Sequence, residues 1–319
     1  MENNENKKLY PFRFVPVTRE KDWGVETTLL ADLGETDSEV ADGWLAGNSL
    51  SDLMQVFLER LVGESSFDFY GTQFPVSVRV LDIRSGSRLS LRLNADDETA
   101  GQRYDAFGKT ALWYVAEAGE DALVWNGFKA DTSAEDFYRR CLDGSVEELL
   151  HGVKPRVGDV FRIQPGTVHA AKGKLRIIEI AEASDLYFRL HDWGAGKELH
   201  LEEAFDLVDF RAWDKTLLSR TGGGKDATEK LMSCDQLEVS LFRLKDPVHV
   251  FQEEAESFLL YTCAAGGVLV QLPERGGEAP QFTLHAGKAI LVPEEVEDFF
   301  LIPTTQGTQL LETMIPRHG

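Results

Sequence analysis

Short strands set close together constrain this chain more than any other feature. Residues 74–81 and 89–94 alternate with the period of two expected of a half-buried strand, and 110–115, 123–125, 160–164, 176–180 and 186–191 continue the series. Gly, Pro, Asn and Asp punctuate gaps that are mostly too short for the crossover helix that parallel pairing requires. The chain is therefore expected to be mainly β, an antiparallel sandwich or barrel. A second series follows at 237–244, 257–263, 268–272, 281–284, 289–292, 299–302 and 309–314. Between the two, Arg220 to Lys225 contains Thr221-Gly222-Gly223-Gly224, a polar run without apolar period. It divides the chain into an N-terminal domain, 1–220, and a C-terminal one, 226–319.

Helices interrupt the strands at a few places. Ser49 precedes Leu53, Val56, Phe57 and Leu61 at helical spacing. Ser133-Ala134-Glu135-Asp136 has the form of a capping box and opens a helical insertion at about 132–150. Its first helix should end near Asp143-Gly144, with a second short one from Ser145 to Leu150. A further candidate runs from Leu201 to Asp209.

Charge narrows the partners. With 33 Lys and Arg against 54 Asp and Glu, the net charge is −21. Such a chain is repelled by nucleic-acid phosphate and by anionic membrane, and it admits an anionic small ligand only where basic side chains converge. No stretch reaches the roughly 20 apolar residues of a membrane span. The opening MENNENKKLYPF has no apolar run behind its lysines, so a cytoplasmic address is expected. Cys141, Cys234 and Cys263 are scattered without a CxxC pair, which fits reduced thiols in or near cores. No feature specifies an oligomeric state.

Both halves carry one phrase: Gly158-Asp159-Val160-Phe161-Arg162-Ile163-Gln164-Pro165 and Gly287-Lys288-Ala289-Ile290-Leu291-Val292-Pro293. A turn feeding a strand that stops at a Pro corner is the cupin signature, so tandem cupin-like (jelly-roll) barrels are expected. More specific motifs follow in order. They are Leu9-Tyr10-Pro11-Phe12, Lys21-Asp22-Trp23-Gly24, Trp44-Leu45-Ala46-Gly47-Asn48, Phe74 to Arg79, Leu89 to Asp97 and Gly108-Lys109-Thr110-Ala111-Leu112-Trp113-Tyr114. Pro165-Gly166-Thr167-Val168-His169-Ala170, Glu179 to Asp185, Arg189 and Asp192-Trp193-Gly194 complete the set. In this order they resemble the class I mannose-6-phosphate isomerases over residues 9 to 210. The resemblance implies interconversion of mannose 6-phosphate and fructose 6-phosphate through an enediolate, with zinc polarising the sugar oxygens.

It also implies where that zinc would sit, and there the chain departs. The family's Gln, His and Glu ligands are here Arg92, Asn94 and Ala111, and only His169 is kept. A catalytic zinc holds about three protein ligands, and Arg92 adds a permanent cation. No metal and no other cofactor is expected. Between Leu33-Gly34 and Ala41-Asp42-Gly43 a family segment is missing as well.

The remaining site positions match. By the resemblance, Lys109, Glu179 and Arg189 are the catalytic candidates, and Ser90 with Arg79 the phosphate contacts. Alternation puts Ser90, Arg92 and Asn94 on one face, beside Arg79, Lys109 and Arg189, a cationic group suited to a sugar phosphate. Arg92 is expected at the former metal position, paired with Glu179 or near His169, which marks the pocket. Asp96-Asp97 reads as a polar turn, and Trp113 and Tyr114 as half-buried sheet residues. His200, His249, His285 and His318 have no recommending spacing. The expected function is sugar-phosphate binding with weak or lost isomerase activity, the state of a pseudoenzyme. The alternatives are an active isomerase using Arg92 or a relocated His169–Glu179–His191 metal site, and a non-catalytic structural or partner-binding barrel.

Overall fold

Alternation decides which side of each strand is buried, and the strands assemble accordingly. A computed structural model describes residues 7–221, 227–252, 257–274 and 278–316, and among these the protein has 23 strands and five short α-helices. Two compact units emerge, one from Met1–Val17, Thr28–Val78 and Gly224–Gly319, the other from Thr18–Thr27 and Arg79–Gly223. The chain divides near residue 223, close to the expected boundary. The units are nevertheless discontinuous, because residues 1–17 and 28–78 cluster with the C-terminal strands rather than with residues 79–220. Residues 222–225 of the expected linker, and His318, lie outside the described residues.

The unit formed by Thr18–Thr27 and Arg79–Gly223 is a two-sheet sandwich, three of whose strands start or end a few residues outside it. Its first sheet comprises β1 (Val17–Lys21), β2 (Gly24–Leu30), β5 (Val76–Ile83), β12 (Leu175–Glu182), β7 (Ala111–Ala118), β10 (Asp159–Ile163) and β14 (Leu218–Arg220), in that spatial order. The second comprises β13 (Phe188–His191), β6 (Leu91–Leu93), β11 (His169–Lys172), β8 (Leu123–Phe128) and β9 (Leu150–Val153). Among the described residues the pairings of β6 to β14 with one another are antiparallel. Between the sheets pack Trp113, Val115, Phe161, Ile163, Ile177 and Ala181 from one side and Val124 and Ala171 from the other. Behind the second sheet a second core unites Leu91, Leu93, Trp125, Phe128 and Phe188 with Phe137 and Cys141.

Phe137 and Cys141 belong to the expected insertion. Helix α5 (Ala134–Asp143) starts at Ser133, whose hydroxyl accepts from Asp136 N, and stops at Gly144 in a left-handed conformation. A single 3₁₀ turn, Val146–Glu148, follows. Residues 201–207 form consecutive turns, not the expected helix. The Asp209 amide donates to Gly166 O, so the end of the segment is held by a loop instead of continuing a helical ladder. Asp96-Asp97 is likewise more than a turn: Asp96 caps the unforeseen helix α4 (Asp97–Tyr104).

In the other unit, β3 (Asp32–Leu33) and β4 (Thr36–Asp37) form a small ribbon before α1 (Leu50–Phe57). Ser49 and Asp52 complete a reciprocal capping box at its start. The helical run read through Leu61 is cut at Leu58, whose φ of 47° and ψ of −126° end α1 and start α2 (Glu59–Val62). Then α3 (Glu64–Tyr70) follows. The strands of the second series make two sheets. One orders β15 (Thr228–Ser233), β16 (Glu238–Leu244), β23 (Thr308–Met314), β18 (Leu259–Ala265) and β21 (Ala289–Val292); the other orders β17 (Val248–Phe251), β22 (Asp298–Pro303), β19 (Gly267–Gln271) and β20 (Gln281–His285). Tyr261, Cys263 and Ile290 from the first sheet meet Val268, Val270, Phe299 and Leu301 from the second in one core. Among the described residues no helix is long and apolar enough to cross a membrane.

Candidate functional site

The period of two in β6 turns Leu91 and Leu93 to the outer core and leaves Ser90, Arg92 and Asn94 lining a cavity between the sheets. From the facing sheet come Arg79 and Leu81 of β5, Trp113 of β7 and Glu179 of β12; His169 starts β11. Lys109, Glu26 of β2, Asp185 and Tyr187 complete the charged and mouth residues. The space left among these side chains is about 50 Å³.

Charge in the cavity is balanced on paper and uneven in geometry. Arg79 pairs with Asp185 at 3.1 Å, and Lys109 Nζ lies 3.5 Å from Glu179 Oε1. Arg92 has no ion pair within 4 Å among the described residues, and its buried Nε meets no acceptor. Its strand position is opposite His169 in the β6–β11 pair, and its guanidinium lies 4.5 Å from the centroid of the Tyr187 ring. Burial lowers its pKa, with Glu179 pulling the other way.

Glu179 is the most committed group. Its Oε2 accepts from Trp113 Nε1 at 2.8 Å. Burial alone would favour its protonated form, but Lys109, Arg79 and the indole outweigh this and bring its pKa down to about 2. Burial also depresses Lys109, against the pull of Glu179. His169 is pushed down to about 4 by burial, partly opposed by its hydrogen bond at 3.0 Å between Nδ1 and Thr167 O. The ring is neutral at physiological pH, with Nδ1–H donating and Nε2 left as the basic nitrogen. Glu182 lies behind Lys109 and Thr110: burial raises it to about 7, while Thr110 N donates to its Oε2 at 2.6 Å.

Eight residues were singled out for this site. Seven of them, Arg79, Ser90, Arg92, Asn94, Lys109, His169 and Glu179, line the one cavity. Arg189 does not. It pairs with Arg92 across β13–β6 but donates to Glu198 O at 2.7 Å and to Tyr187 Oη at 3.0 Å. Trp113 is more than a half-buried sheet residue, being 3% exposed and aimed at Glu179. Glu26, Tyr187 and Trp23 were not read as site residues. For Glu26 the signal was available, since it follows the Asp22-Trp23-Gly24 motif at strand spacing.

The residues present do not fit a zinc ion. At the four positions that the resemblance assigns to ligands stand a guanidinium, an amide, the Ala111 methyl within the core, and His169. The relocated set fails as well. A register shift between Arg189 and His191 breaks the alternation, and His191 instead faces Cys141 O at 3.1 Å and the edge of Trp193. Among the described residues no three His, Cys, Asp or Glu are grouped to hold a metal.

Comparison with known proteins settles the ancestry. Over 224 residues the chain is 30% identical to the mannose-6-phosphate isomerase ManA of Bacillus subtilis, covering 62% of this chain and 68% of that protein. The chain belongs to the mannose-6-phosphate isomerase family. A mannose-6-phosphate isomerase of Streptococcus mutans is 25% identical over 272 residues, covering 82% of this chain and 80% of the relative. The crystal structure of the Bacillus subtilis mannose 6-phosphate isomerase superposes with a TM-score of 0.80 at 21% identity, over 96% of this chain and all of the other. The family fold, mainly β with few helices, is therefore shared along the chain. No family model matches the sequence.

Proposed function

We propose that this member of the mannose-6-phosphate isomerase family binds a sugar phosphate around Arg92 and isomerises it weakly or not at all, without zinc. The observation that carries the reading is the Arg92 guanidinium, held in a cavity with no carboxylate partner and a sealed, unsatisfied Nε. An unpaired buried charge costs on the order of several kcal/mol, and an incoming oxyanion relieves that cost. Arg79 and Lys109 extend the cationic surface once the ligand competes with their carboxylates. Entry demands rearrangement, because about 50 Å³ is far below the roughly 300 Å³ of an ordinary ligand site. Asp185, its side chain 59% exposed, and Tyr187 are the groups to be displaced at the mouth.

The proton-handling groups support weak turnover. A general base works best with a pKa near the operating pH. Glu179 at about 2 and His169 at about 4 are poor acceptors, which leaves Lys109, depressed by burial, to move a proton. Metal polarisation is worth several kcal/mol, so its loss costs on the order of a thousandfold in rate unless Arg92 supplies an equivalent electrophile.

Isothermal titration with mannose 6-phosphate tests the binding, and a coupled isomerase assay with and without chelator tests the chemistry. Binding near the millimolar range with turnover about a thousandfold below an ordinary isomerase is expected. No heat at that concentration refutes the binding and favours a partner-binding barrel. Rapid turnover refutes the loss of activity; its sensitivity to chelator separates a metal from Arg92 as the electrophile.

A further inference from the structure

A larger cavity, about 490 Å³, lies in the unit formed by Met1–Val17, Thr28–Val78 and Gly224–Gly319, within the size of a small-molecule site. Its aromatic wall is Tyr10, Trp44 and Phe282. Tyr10 and Phe282 are stacked with centroids 6.1 Å apart and planes 17° from parallel, and Trp44 is tilted against Tyr10 at 6.2 Å. The phenol is fixed at its far end, donating to Asp42 O at 2.7 Å and accepting from Leu45 N at 3.1 Å. Gly43, at φ 79°, makes room for it: a Cβ there would lie 2.3 Å from the Tyr10 oxygen. The wall is thus built and held before any ligand arrives.

Four carboxylates, Asp42, Glu295, Glu297 and Asp298, also line this cavity, against the cations Lys8 and Arg13. Asp42 is neutralised by Arg13 at 2.5 Å and Glu295 by Arg60 at 2.6 Å. Glu297 has no ion pair among the described residues, and the partner of Asp298 is His249 at 3.6 Å, charged only when protonated. Lys8 forms no ion pair among the described residues either and offsets part of this charge, so the preference for a cation comes from the ring faces, whose quadrupole attracts positive charge, with Glu297 and Asp298 acting in the same sense. The protein supplies its own stand-in: Lys7 Nζ sits 4.8 Å above the centroid of Trp44.

We infer that this cavity is a binding site for a small organic cation, an ammonium or quaternary ammonium group on an apolar body. The cationic head takes the Trp44 face near Glu297 and Asp298, and the body lies against Tyr10 and Phe282. The site shares no residue with the pocket around Arg92, so it stands whether or not that pocket binds sugar phosphate.

Titration of the full chain at low salt with benzyltrimethylammonium and with choline tests this, using the neutral isostere 3,3-dimethylbutan-1-ol as the control for choline. Binding at up to about 10 mM is expected, with the isostere weaker by about fivefold or more. Trp44→Leu should weaken the cations by a similar factor. The double variant Glu297→Gln/Asp298→Asn, at an exposed and a half-buried position outside the hydrophobic core, should weaken them and remove the salt dependence. Three results would each overturn the inference: no heat from either cation, equal binding of the isostere, or binding unchanged in both variants.

Discussion

Trp113 and Glu179 stand directly opposite each other on β7 and β12, and the indole nitrogen donates to the carboxylate at 2.8 Å. The indole is the uncharged part of what keeps Glu179 ionised in a buried place. Trp113→Phe preserves the ring packing and removes only the donor. It should destabilise the protein by about 2 kcal/mol, the cost of stripping a hydrogen bond from a buried charged acceptor. The Glu179 pKa should rise together with it. Urea denaturation and carboxyl-resolved NMR titration check both effects, and an unchanged midpoint would mean the bond contributes nothing.

Restoring the ligand positions is the sharpest test of why the site departs from its family. The triple change Arg92→Gln, Asn94→His, Ala111→Glu gives the set that the resemblance implies, together with His169. Elemental analysis should then find about one zinc per chain, against none expected for the parent, consistent with the three to four ligands a catalytic zinc requires. Failure of the folded triple variant to take up zinc would show that the backbone, and not only the side chains, has diverged.

Glu182 gives the protein a pH signature. Burial raises its carboxyl from 4.5 to about 7, with the Asp97 charge adding to the effect and Lys109 opposing it. Between those values the folded state binds more protons than the unfolded chain, so stability falls as pH rises through that window. His169, depressed to about 4, has the opposite effect, losing stability as pH falls below about 6.5. Glu182→Gln isolates the first term: relative to the parent it should gain on the order of 3 kcal/mol between about pH 5 and pH 8. Denaturant unfolding at the two pH values measures it. A gain independent of pH would contradict the raised pKa.

Gly24 sits where β2 passes β5. A Cβ there would lie 1.9 Å from Asp82 O, at a φ of 157° that side chains avoid. Gly24→Ala should therefore cost about 3 kcal/mol or more, a backbone clash rather than a lost contact. Thermal unfolding reads this directly; a shift of less than a degree would mean β2 can move aside.

The strands of both series were legible because turn residues and alternation are local signals, and the same alternation placed Ser90, Arg92 and Asn94 on one wall. What remained hidden depends on contacts remote in sequence. A period of two cannot foresee the bulge that turns His191 away from Arg189. Helical spacing from Ser49 to Leu61 gives no hint of the break at Leu58, since the apolar pattern continues through it. The carboxylates Glu26 and Asp185 enter the cavity from segments far from its cations, so counting basic residues overstated its positive charge. Arg189 shares the register of Arg92 but is drawn to Glu198 O and Tyr187 Oη, partners that alternation does not reveal.

Phe12 and Leu291 exchange both backbone hydrogen bonds, at 2.7 and 2.9 Å, within the discontinuous unit. During synthesis Phe12 leaves the ribosome long before Leu291 exists, while Thr18–Thr27 and Arg79–Gly223 can already complete their own unit. Closing so long a loop is slow, and the backbone edge at Phe12 remains open to chaperones, or to a neighbouring chain, until the last strands emerge.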